Sequence, residues 1–202
     1  MLKRTFSKTM ITLLLLSVIM LAFTMQQAKA QVHDVAVTNI TSDRSWIYYD
    51  HGFGADINVT VLDNGDFNET VTVTLYYNIT ANDVIGTQAL NVLTGQNGTA
   101  AFTWNATGSV AYPRNYTITA VATIPAGINS TLTGGIIEVR IPGDILDEGI
   151  VDIYDAIAIG NYFGLRVGEP GFNPDADLNH DGIVDIFDVI VLASFFGQIG
   201  SP

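Results

Sequence analysis

The chain has 202 residues, no cysteine and a formal net charge of −12. The absence of cysteine excludes disulfides and thiolate metal sites, and the acidic balance argues strongly against nucleic-acid binding because such a surface repels a phosphate backbone. A hydrophobic fraction of 48% is typical of packed domains rather than of disordered chains.

The first 30 residues have the pattern of a secretory signal peptide. Lys3, Arg4 and Lys8 form a basic head, residues 10–24 are apolar, and Ala28-Lys29-Ala30 is a small-x-small cleavage sequence. Fifteen apolar residues are short for a membrane span, so we expect cleavage after Ala30; the alternative is an uncleaved N-terminal anchor. The mature chain is predicted to be secreted, extracellular or at the cell surface, with no membrane span.

Residues 31–141 have the period-two alternation of half-buried β-strands. Apolar residues alternate with polar or small ones over residues 35–37, 57–61, 71–77, 102–104, 116–122 and 137–139, with turn sequences between them. Seven or eight short strands in about 110 residues are typical of an immunoglobulin-like antiparallel β-sandwich. The sequence therefore predicts a mainly β protein with a small α-helical part.

The same segment is rich in glycosylation sequons. Eight of its eleven asparagines start an Asn-x-Ser/Thr sequence: Asn39, Asn58, Asn68, Asn78, Asn97, Asn105, Asn115 and Asn129. An outward-facing asparagine can carry a glycan without disturbing the core. We expect a glycoprotein, with the alternative that a threonine-rich β surface creates sequons by chance.

A run of aromatic residues lies early in the predicted sandwich. The alternation favours burial of Trp46 and Tyr48 in strand core, while Tyr49, on the other phase, is a weak candidate for stacking on carbohydrate. His33 and His51 are isolated in the sequence and are interpreted as solvated surface residues.

The alternation of apolar and polar residues ends at Pro142 and Gly143, which mark a domain boundary in the sequence pattern. Residues 143–202 are predicted to form a second domain. Residues 143–197 contain eleven acidic residues and one base, Arg166. Residues 149–164 and 182–197 match at nine of sixteen positions with a constant offset of 33, which is an internal repeat.

The second repeat contains a calcium-loop pattern, Asp-x-Asn-x-Asp-Gly with a carboxylate at position twelve. Calcium prefers six to eight hard oxygen ligands, and the loop supplies them at alternating positions. The predicted ligands are Asp177, Asn179, Asp181, the backbone carbonyl of Ile183, Asp185 and Asp188. His180, at position four, is expected to point outward.

The first loop is a degenerate copy. Its predicted ligands are Asp144, Glu148, the backbone carbonyl of Ile150, Asp152 and Asp155, and position three is Leu146, which cannot bind a metal. We expect one firm calcium site in the second loop and a weaker or vestigial one in the first.

One helix is predicted after each loop, over residues 154–163 and 187–196, with Gly164 and Gly197 ending them. Ile157 and Phe163 recur as Ile190 and Phe196, and this apolar stripe is interpreted as a helix-on-helix contact.

Loop, exit helix and duplication together resemble the dockerin type I module. The resemblance implies folding on two calcium ions and docking onto a cohesin domain, commonly in assemblies that degrade polysaccharides. The family's partner contacts near loop positions ten and eleven correspond here to Ile153-Tyr154 and Ile186-Phe187. These apolar pairs are either a partner surface or core between the repeats.

The first domain resembles the CARDB (cell-adhesion-related) family. The residues that carry the resemblance are His33–Thr38, Asn58–Val61 before the turn at 63–66, and the stretches at 102–104 and 115–117. It implies an adhesion or spacer role on secreted and surface proteins, and a prokaryotic, in particular archaeal, origin.

The sequence therefore favours a non-catalytic adhesion or docking protein whose partner is a cohesin-like or cell-surface protein. One alternative is a structural protein in which the calcium repeats only cap the sandwich. A polysaccharide-degrading enzyme is disfavoured, because such enzymes need two carboxylates that face each other across a cleft. Glu69 and Glu138, the only glutamates of the sandwich, both lie at strand or loop ends of the predicted fold.

Overall fold

A computed structural model describes residues 10–16, 30–78, 83–108 and 110–200. Residues 10–16 form helix α1; most of the predicted signal peptide, including Ala28 and Lys29 of its cleavage sequence, lies outside the described residues. No helix in the described segments has the length and apolarity needed to cross a membrane. Residues up to Val32 and residues from His33 onward are separate compact units, and the second unit contains both predicted domains.

The described part of the second unit begins with eight strands. They are β1 (Val35–Ser42), β2 (Trp46–Tyr48), β3 (Ala55–Asp63), β4 (Glu69–Tyr77), β5 (Val84–Val92), β6 (Asn97–Trp104), β7 (Arg114–Thr123) and β8 (Asn129–Arg140). Six of them lie where the alternation predicts strands. β5 was missed because its residues alternate weakly between buried and exposed positions.

The strands form two sheets, ordered β1-β3-β6 and β2-β8-β7-β4-β5. The pairs are antiparallel, as predicted, with one exception: β2 runs parallel to β8, with Trp46 opposite Glu138 and Tyr48 opposite Arg140. The prediction of a purely antiparallel sandwich is therefore wrong at this edge, where the short strand β2 runs in the same direction as β8.

The sandwich core consists of inward-facing residues from both sheets. Fully buried members include Ile57, Val59, Leu75, Ile118 and Ile137. Tyr116 closes the core at the start of β7, because its hydroxyl donates to the Ala111 carbonyl (2.9 Å) and accepts from the Ala111 amide (2.7 Å). This is the kind of tyrosine corner that occurs in immunoglobulin-like sandwiches.

After β8 come helix α2 (Ile153–Tyr162), a 3₁₀ turn (Pro174–Ala176) and helix α3 (Ile186–Phe195). Each α-helix starts one residue earlier than predicted because Asp152 and Asp185 act as N-caps in capping boxes. Gly164 and Gly197 follow the helices in the left-handed conformation that favours glycine, with φ of 87° and 82°.

A second apolar cluster joins this loop–helix module to the sandwich. Its buried aliphatic residues larger than alanine are Ile141, Val151, Ile159, Leu178, Val184 and Leu192. Tyr48, from strand β2, is buried in the same cluster. The prediction that Tyr48 belongs to strand core is therefore right about burial but wrong about the core, because the ring packs with the module.

The shared cluster makes a testable prediction about stability. Replacing Ile141, which is fully buried, with alanine is expected to lower the free energy of unfolding by about 2–5 kcal/mol, since it deletes buried methylenes and leaves a cavity. The Ile136→Ala variant is the control, because Ile136 is exposed on strand β8, which ends just before Ile141. Equal denaturation midpoints for the two variants would contradict the shared core.

Candidate metal centre

The two loops have the same backbone, 33 positions apart. Position four is left-handed in both, with φ of 56° at Asp147 and 57° at His180. Position six is also left-handed, with φ of 85° at Gly149 and 87° at Gly182. The sequence repeat is thus a structural repeat, and the first loop keeps its shape despite Leu146 at position three.

The carboxylate at position twelve closes the first loop. Asp155 is fully buried; its Oδ1 accepts from the amides of Ile145 (2.8 Å) and Leu146 (3.1 Å), and its Oδ2 accepts from the Asp152 amide (2.9 Å). Asp152 in turn accepts from the Tyr154 amide (2.7 Å) and caps α2. One side chain therefore ties the loop entrance to the helix start.

The second loop is closed in the same way. Asp188 is fully buried and accepts from the amides of Asn179 (3.0 Å) and Asp185 (2.7 Å). Asp185 accepts from the Phe187 amide (2.8 Å) and caps α3. Aspartate, although shorter than the glutamate usual at position twelve, thus spans the loop in both copies.

The carboxylate at position one holds the middle of each loop. Asp144 accepts from the amides of Glu148 (3.0 Å) and Gly149 (2.7 Å). Asp177 accepts from the amides of Asp181 (3.2 Å) and Gly182 (3.0 Å). Positions one and twelve therefore bring their oxygens into the concave side of a loop whose backbone is already curved.

The two repeats complete each other through reciprocal backbone hydrogen bonds. The Gly164 amide donates to the Val184 carbonyl and the Gly197 amide to the Val151 carbonyl, both at 2.7 Å. The matching bridges pair Arg166 with Ile183 and Ile199 with Ile150. None of these hydrogen bonds uses the carbonyl of Ile150 or Ile183, the predicted backbone ligands at position seven.

A close group of acidic oxygens lies in the first loop of the described residues. This is the loop for which the sequence predicts the weaker calcium binding. Glu148, Asp152 and Asp155 each offer an oxygen within 4.8 Å of the others. In the second loop the Asp181 carboxylate is held by hydrogen bonds within the loop. It accepts from the Ile183 amide and from the Asn179 side-chain amide, each at 3.0 Å. The longer Glu148 side chain reaches further than aspartate would.

Leu146 does not take part in the grouping, because its side chain has no ligand atom, and the residue is 51% exposed. The first loop thus offers four carboxylates and one carbonyl, and the second offers four carboxylates, one amide and one carbonyl. Both donor sets are hard oxygens, which fit calcium better than zinc or copper.

The carboxylates in these loops carry an electrostatic cost. Burial, and then the nearby charges of Asp155 and Asp147, raise the pKa of Asp144. Burial, with Asp188 and Asp181 close by, raises the pKa of Asp177. The pKa of Glu148 is raised by desolvation and by Asp152, Asp155 and Asp144. A bound divalent cation would relieve this repulsion.

The prediction that His180, at position four of the second loop, points outward is wrong. Its ring stacks on Phe53 (centroids 3.6 Å apart, 22° between planes) and lies near Tyr48 (5.6 Å) and Trp46 (5.9 Å). Desolvation, with Arg44 and His51 nearby, lowers the pKa of His180 to about 4, so the ring is neutral at pH 7. Its Nε2 is buried without a hydrogen-bond partner among the described residues.

The other two histidines are also not free surface residues. His33 stacks on Phe67 (4.5 Å, 16°) and its Nδ1 contacts Glu69 Oε1 at 2.5 Å. His51 lies edge-on to Phe195 of helix α3, 5.3 Å between ring centroids. Sequence reasoning missed these contacts because isolated histidines give no periodic signal.

Both glutamates of the sandwich are engaged. Besides the contact of Glu69 with His33, Glu138 pairs with Arg140 at 2.7 Å. Tyr49, the weak candidate for carbohydrate stacking, has one ring face against Tyr112 (4.0 Å, 23°), and its hydroxyl donates to the Gly108 carbonyl at 2.9 Å.

The apolar stripe of the module is on the surface. Eight residues at four repeat-equivalent positions are 53–62% exposed: Ile153, Tyr154, Ile157, Phe163, Ile186, Phe187, Ile190 and Phe196. The interpretation of Ile157, Phe163, Ile190 and Phe196 as a helix-on-helix contact is therefore wrong, and so is the alternative that positions ten and eleven are core between the repeats. We call these eight residues the exposed apolar face.

The eight sequon asparagines are all exposed: Asn39, Asn58, Asn68, Asn78, Asn97, Asn105, Asn115 and Asn129. Two sequons interleave across β1 and β3, where Asn39 lies opposite Thr60 and Thr41 opposite Asn58. Asn68 and Asn78 also accept backbone hydrogen bonds through Oδ1, from the amides of Thr94 and Thr117.

Comparison with known proteins gives likeness of fold only. No protein-family model matches the chain, and no curated protein matches it. The CARDB domain of the PF1109 protein from Pyrococcus furiosus, solved in complex with di-metal ions, is similar at 16% identity over 54% of this chain and 94% of that domain, with a TM-score of 0.39.

Two further solved structures are similar over part of the chain. Spo0M, a sporulation control protein from Bacillus subtilis, has 15% identity, 64% coverage of this chain, 56% of its own and a TM-score of 0.38. A β-glucosidase from Erythrobacter marinus has 13% identity, 53% and 15% coverage and a TM-score of 0.35. At these identities and TM-scores, none of the three assigns a function to this chain.

The raised pKa values predict how pH affects the metal-free chain. A folded-state pKa above the unfolded value means that the folded state binds more protons, so the contribution of Asp144 and Asp177 to stability is fully present below the unfolded pKa and is lost as pH rises through the raised pKa. In calcium-depleted buffer, thermal unfolding between pH 4 and 7 is expected to show a smaller loss of melting temperature for the Asp144→Asn/Asp177→Asn variant than for the wild type. Parallel pH profiles would contradict this assignment.

Proposed function

We propose that the chain is a secreted, non-catalytic adhesion or docking protein. A CARDB-like sandwich carries a dockerin-like module that binds calcium and presents the exposed apolar face to a cohesin-like protein. Assemblies at the cell surface or on polysaccharide are the setting that this partner implies. The single observation that carries the proposal is the exposure of eight large apolar side chains at equivalent positions of two calcium-type loop–helix repeats.

Calcium binding is supported by the donor set and by the shape of the loops. Asp155 and Asp188 already curve the backbone around their oxygens, and the carbonyls at position seven are left out of the bonds between the repeats. Calcium would supply the charge that offsets the repulsion at Asp144, Glu148 and Asp177, so its binding free energy would contribute to the folding of the module.

A docking role is supported by the distribution of exposed apolar side chains. The described sandwich strands expose few large apolar side chains, such as Val84 and Ile136, whereas the module exposes its eight-residue face. A concentration of exposed large apolar side chains is typical of interaction sites in soluble proteins. Because acidic loops flank it and Arg166 is the only base of the module, a partner with an apolar centre and a basic rim is favoured.

A structural cap is the second candidate function. It is favoured by the shared apolar cluster, in which Tyr48 of the sandwich is buried with Val184 and Leu192 of the module. A cap requires only the buried side of the module, however, and leaves the exposed apolar face without a purpose. We therefore regard capping as part of the architecture and docking as the function.

Secretion and glycosylation complete the proposal. The N-terminal pattern supports export, and the exposed sequon asparagines of the sandwich would accept glycans without loss of core contacts. No sequon lies in the module, so glycans would shield the sandwich and leave the docking face bare. The engaged glutamates, Glu69 and Glu138, support a non-catalytic sandwich.

Titration calorimetry on residues 31–202 tests the metal part of the proposal. Two calcium ions per chain are expected, and Asp177→Asn is expected to weaken one site by at least about tenfold, because a charged ligand is lost. The Asp56→Asn variant, on strand β3, is the control and is expected to bind as the wild type does. Absence of heat at millimolar calcium would refute the calcium site.

The docking part is tested with a panel of purified type I cohesin domains. The Ile157→Ser/Ile190→Ser variant is expected to lose binding by about 100-fold or more, because both equivalent anchors are removed, while calcium binding stays unchanged. Ile136→Ser, an exposed isoleucine on the sandwich, is the matched control. Wild-type binding to none of the cohesins, or unchanged binding by the double variant, would contradict the cohesin-like partner.

A further inference from the structure

The sandwich forms a cradle of three aromatic residues, Trp46, Tyr48 and Phe53, which we call the aromatic cradle. Their rings lie within 5.0–5.8 Å of one another, measured between centroids. The ring that enters the cradle is His180, which lies nearly parallel to Phe53 at 3.6 Å. The cradle belongs to the sandwich, but the residue that it holds belongs to the second calcium loop.

The cradle is held in place by two arginines of the sandwich, one of which is also paired with Asp175 of the module. The Arg44 guanidinium lies 4.0 Å from the centroid of Phe53. The Arg140 guanidinium lies 5.1 Å from that of Trp46 and is paired with Glu138 (2.7 Å) and with Asp175 (3.0 Å). Tyr48 is buried. The receptor side of the contact is therefore built largely by strand β2, the turn after it and the end of β8.

His180 is well placed to affect the metal ligands. It lies between Asn179 and Asp181, two predicted ligands, and its φ of 57° is in the left-handed region that non-glycine residues seldom adopt. The Asn179 side chain accepts a hydrogen bond from the Asp181 backbone amide and donates one to the Asp181 carboxylate. A ring clamped at position four therefore holds the backbone between these two ligands in the curvature of the loop.

The first loop lacks this clamp. Its position four is Asp147, with the same left-handed backbone (φ 56°) but no ring to stack. The left-handed residue is therefore a feature of both loops, whereas the stack on the sandwich is specific to the second.

We infer that the aromatic cradle preorganises the second loop through His180 and so raises the calcium affinity of that loop. His180 and Phe53 are positioning residues, not ligands. The inference rests on the proposed calcium binding. Since preorganisation removes part of the ordering cost of binding, the affinity depends on a contact made by the other half of the chain. By thermodynamic linkage, calcium in the second loop strengthens the stack by the same factor.

A double-mutant cycle on residues 31–202 tests the inference, with calcium affinities of both loops measured by calorimetry. His180→Asn removes the ring but keeps a residue that tolerates the left-handed conformation. Phe53→Leu removes the other half of the stack without touching the loop. Each variant is expected to weaken the second site by about 3- to 10-fold, the value of an aromatic pair, and to leave the first site unchanged.

The double variant separates a clamp from two unrelated effects. If the stack is the cause, the double variant binds no more weakly than either single variant. Phe67→Leu is the matched control, since it removes the stack of Phe67 on His33, outside the cradle and the loops, and is expected to bind as the wild type does. Hydrogen exchange over residues 46–53 gives a second readout: calcium is expected to slow it in the wild type and not in His180→Asn.

Unchanged affinity in both single variants, or fully additive losses in the double variant, would overturn the inference while leaving the calcium proposal intact. Absence of calcium binding by the wild type would instead overturn the calcium proposal, and the inference with it.

Discussion

The module depends on one carboxylate in each repeat. Asp155 and Asp188 are fully buried, and each accepts backbone amides from the entrance of its loop and from the residue that caps the following helix. These bonds bend the loop and start the helix at the same time. Asp155 and Asp188 also lie close to Asp144 and Asp177, whose pKa values are raised by burial and by these neighbours. A cation bound on the concave side of each loop would offset that cost.

The exposed apolar face follows from that arrangement. Because position twelve lies in the first turn of each helix, loop closure fixes the direction in which each helix leaves its loop. The reciprocal bonds between Gly164 and Val184 and between Gly197 and Val151 then tie the end of each helix to the loop of the other repeat. The residues at equivalent positions of the two helices are left on the surface in pairs, which is the arrangement we propose for partner docking.

Much of this organisation could be predicted from the sequence, because loops, helix starts and helix ends depend on residues that are close together in the chain. The offset of 33 residues located both loops, and the glycines at 164 and 197 placed the helix ends to within a residue or two. Residue type also indicated that Leu146 is no ligand. The contacts that could not be predicted are long-range ones. Nothing in the pattern around His180 says that its ring enters a cluster formed by Trp46 and Phe53, 127 or more positions earlier.

Periodicity failed at the helices for a related reason. An apolar stripe shows that a helix has an apolar side, but not whether that side is covered within the same chain. Ile157 and Ile190 fit a buried contact as well as an open face, and their exposure decides between the two. The parallel pairing of β2 is likewise set by tertiary context, since a three-residue strand carries too little pattern to give its direction.

The most direct test of the account follows the amide resonances of Gly149 and Gly182 in residues 31–202 during a calcium titration by NMR. Each amide donates to the carboxylate at position one of its loop, so calcium entering a loop changes the environment of its glycine. The account predicts that both resonances move, Gly182 at the lower calcium concentration. If neither moves at millimolar calcium, the loops are not calcium sites and the proposed docking mechanism is wrong.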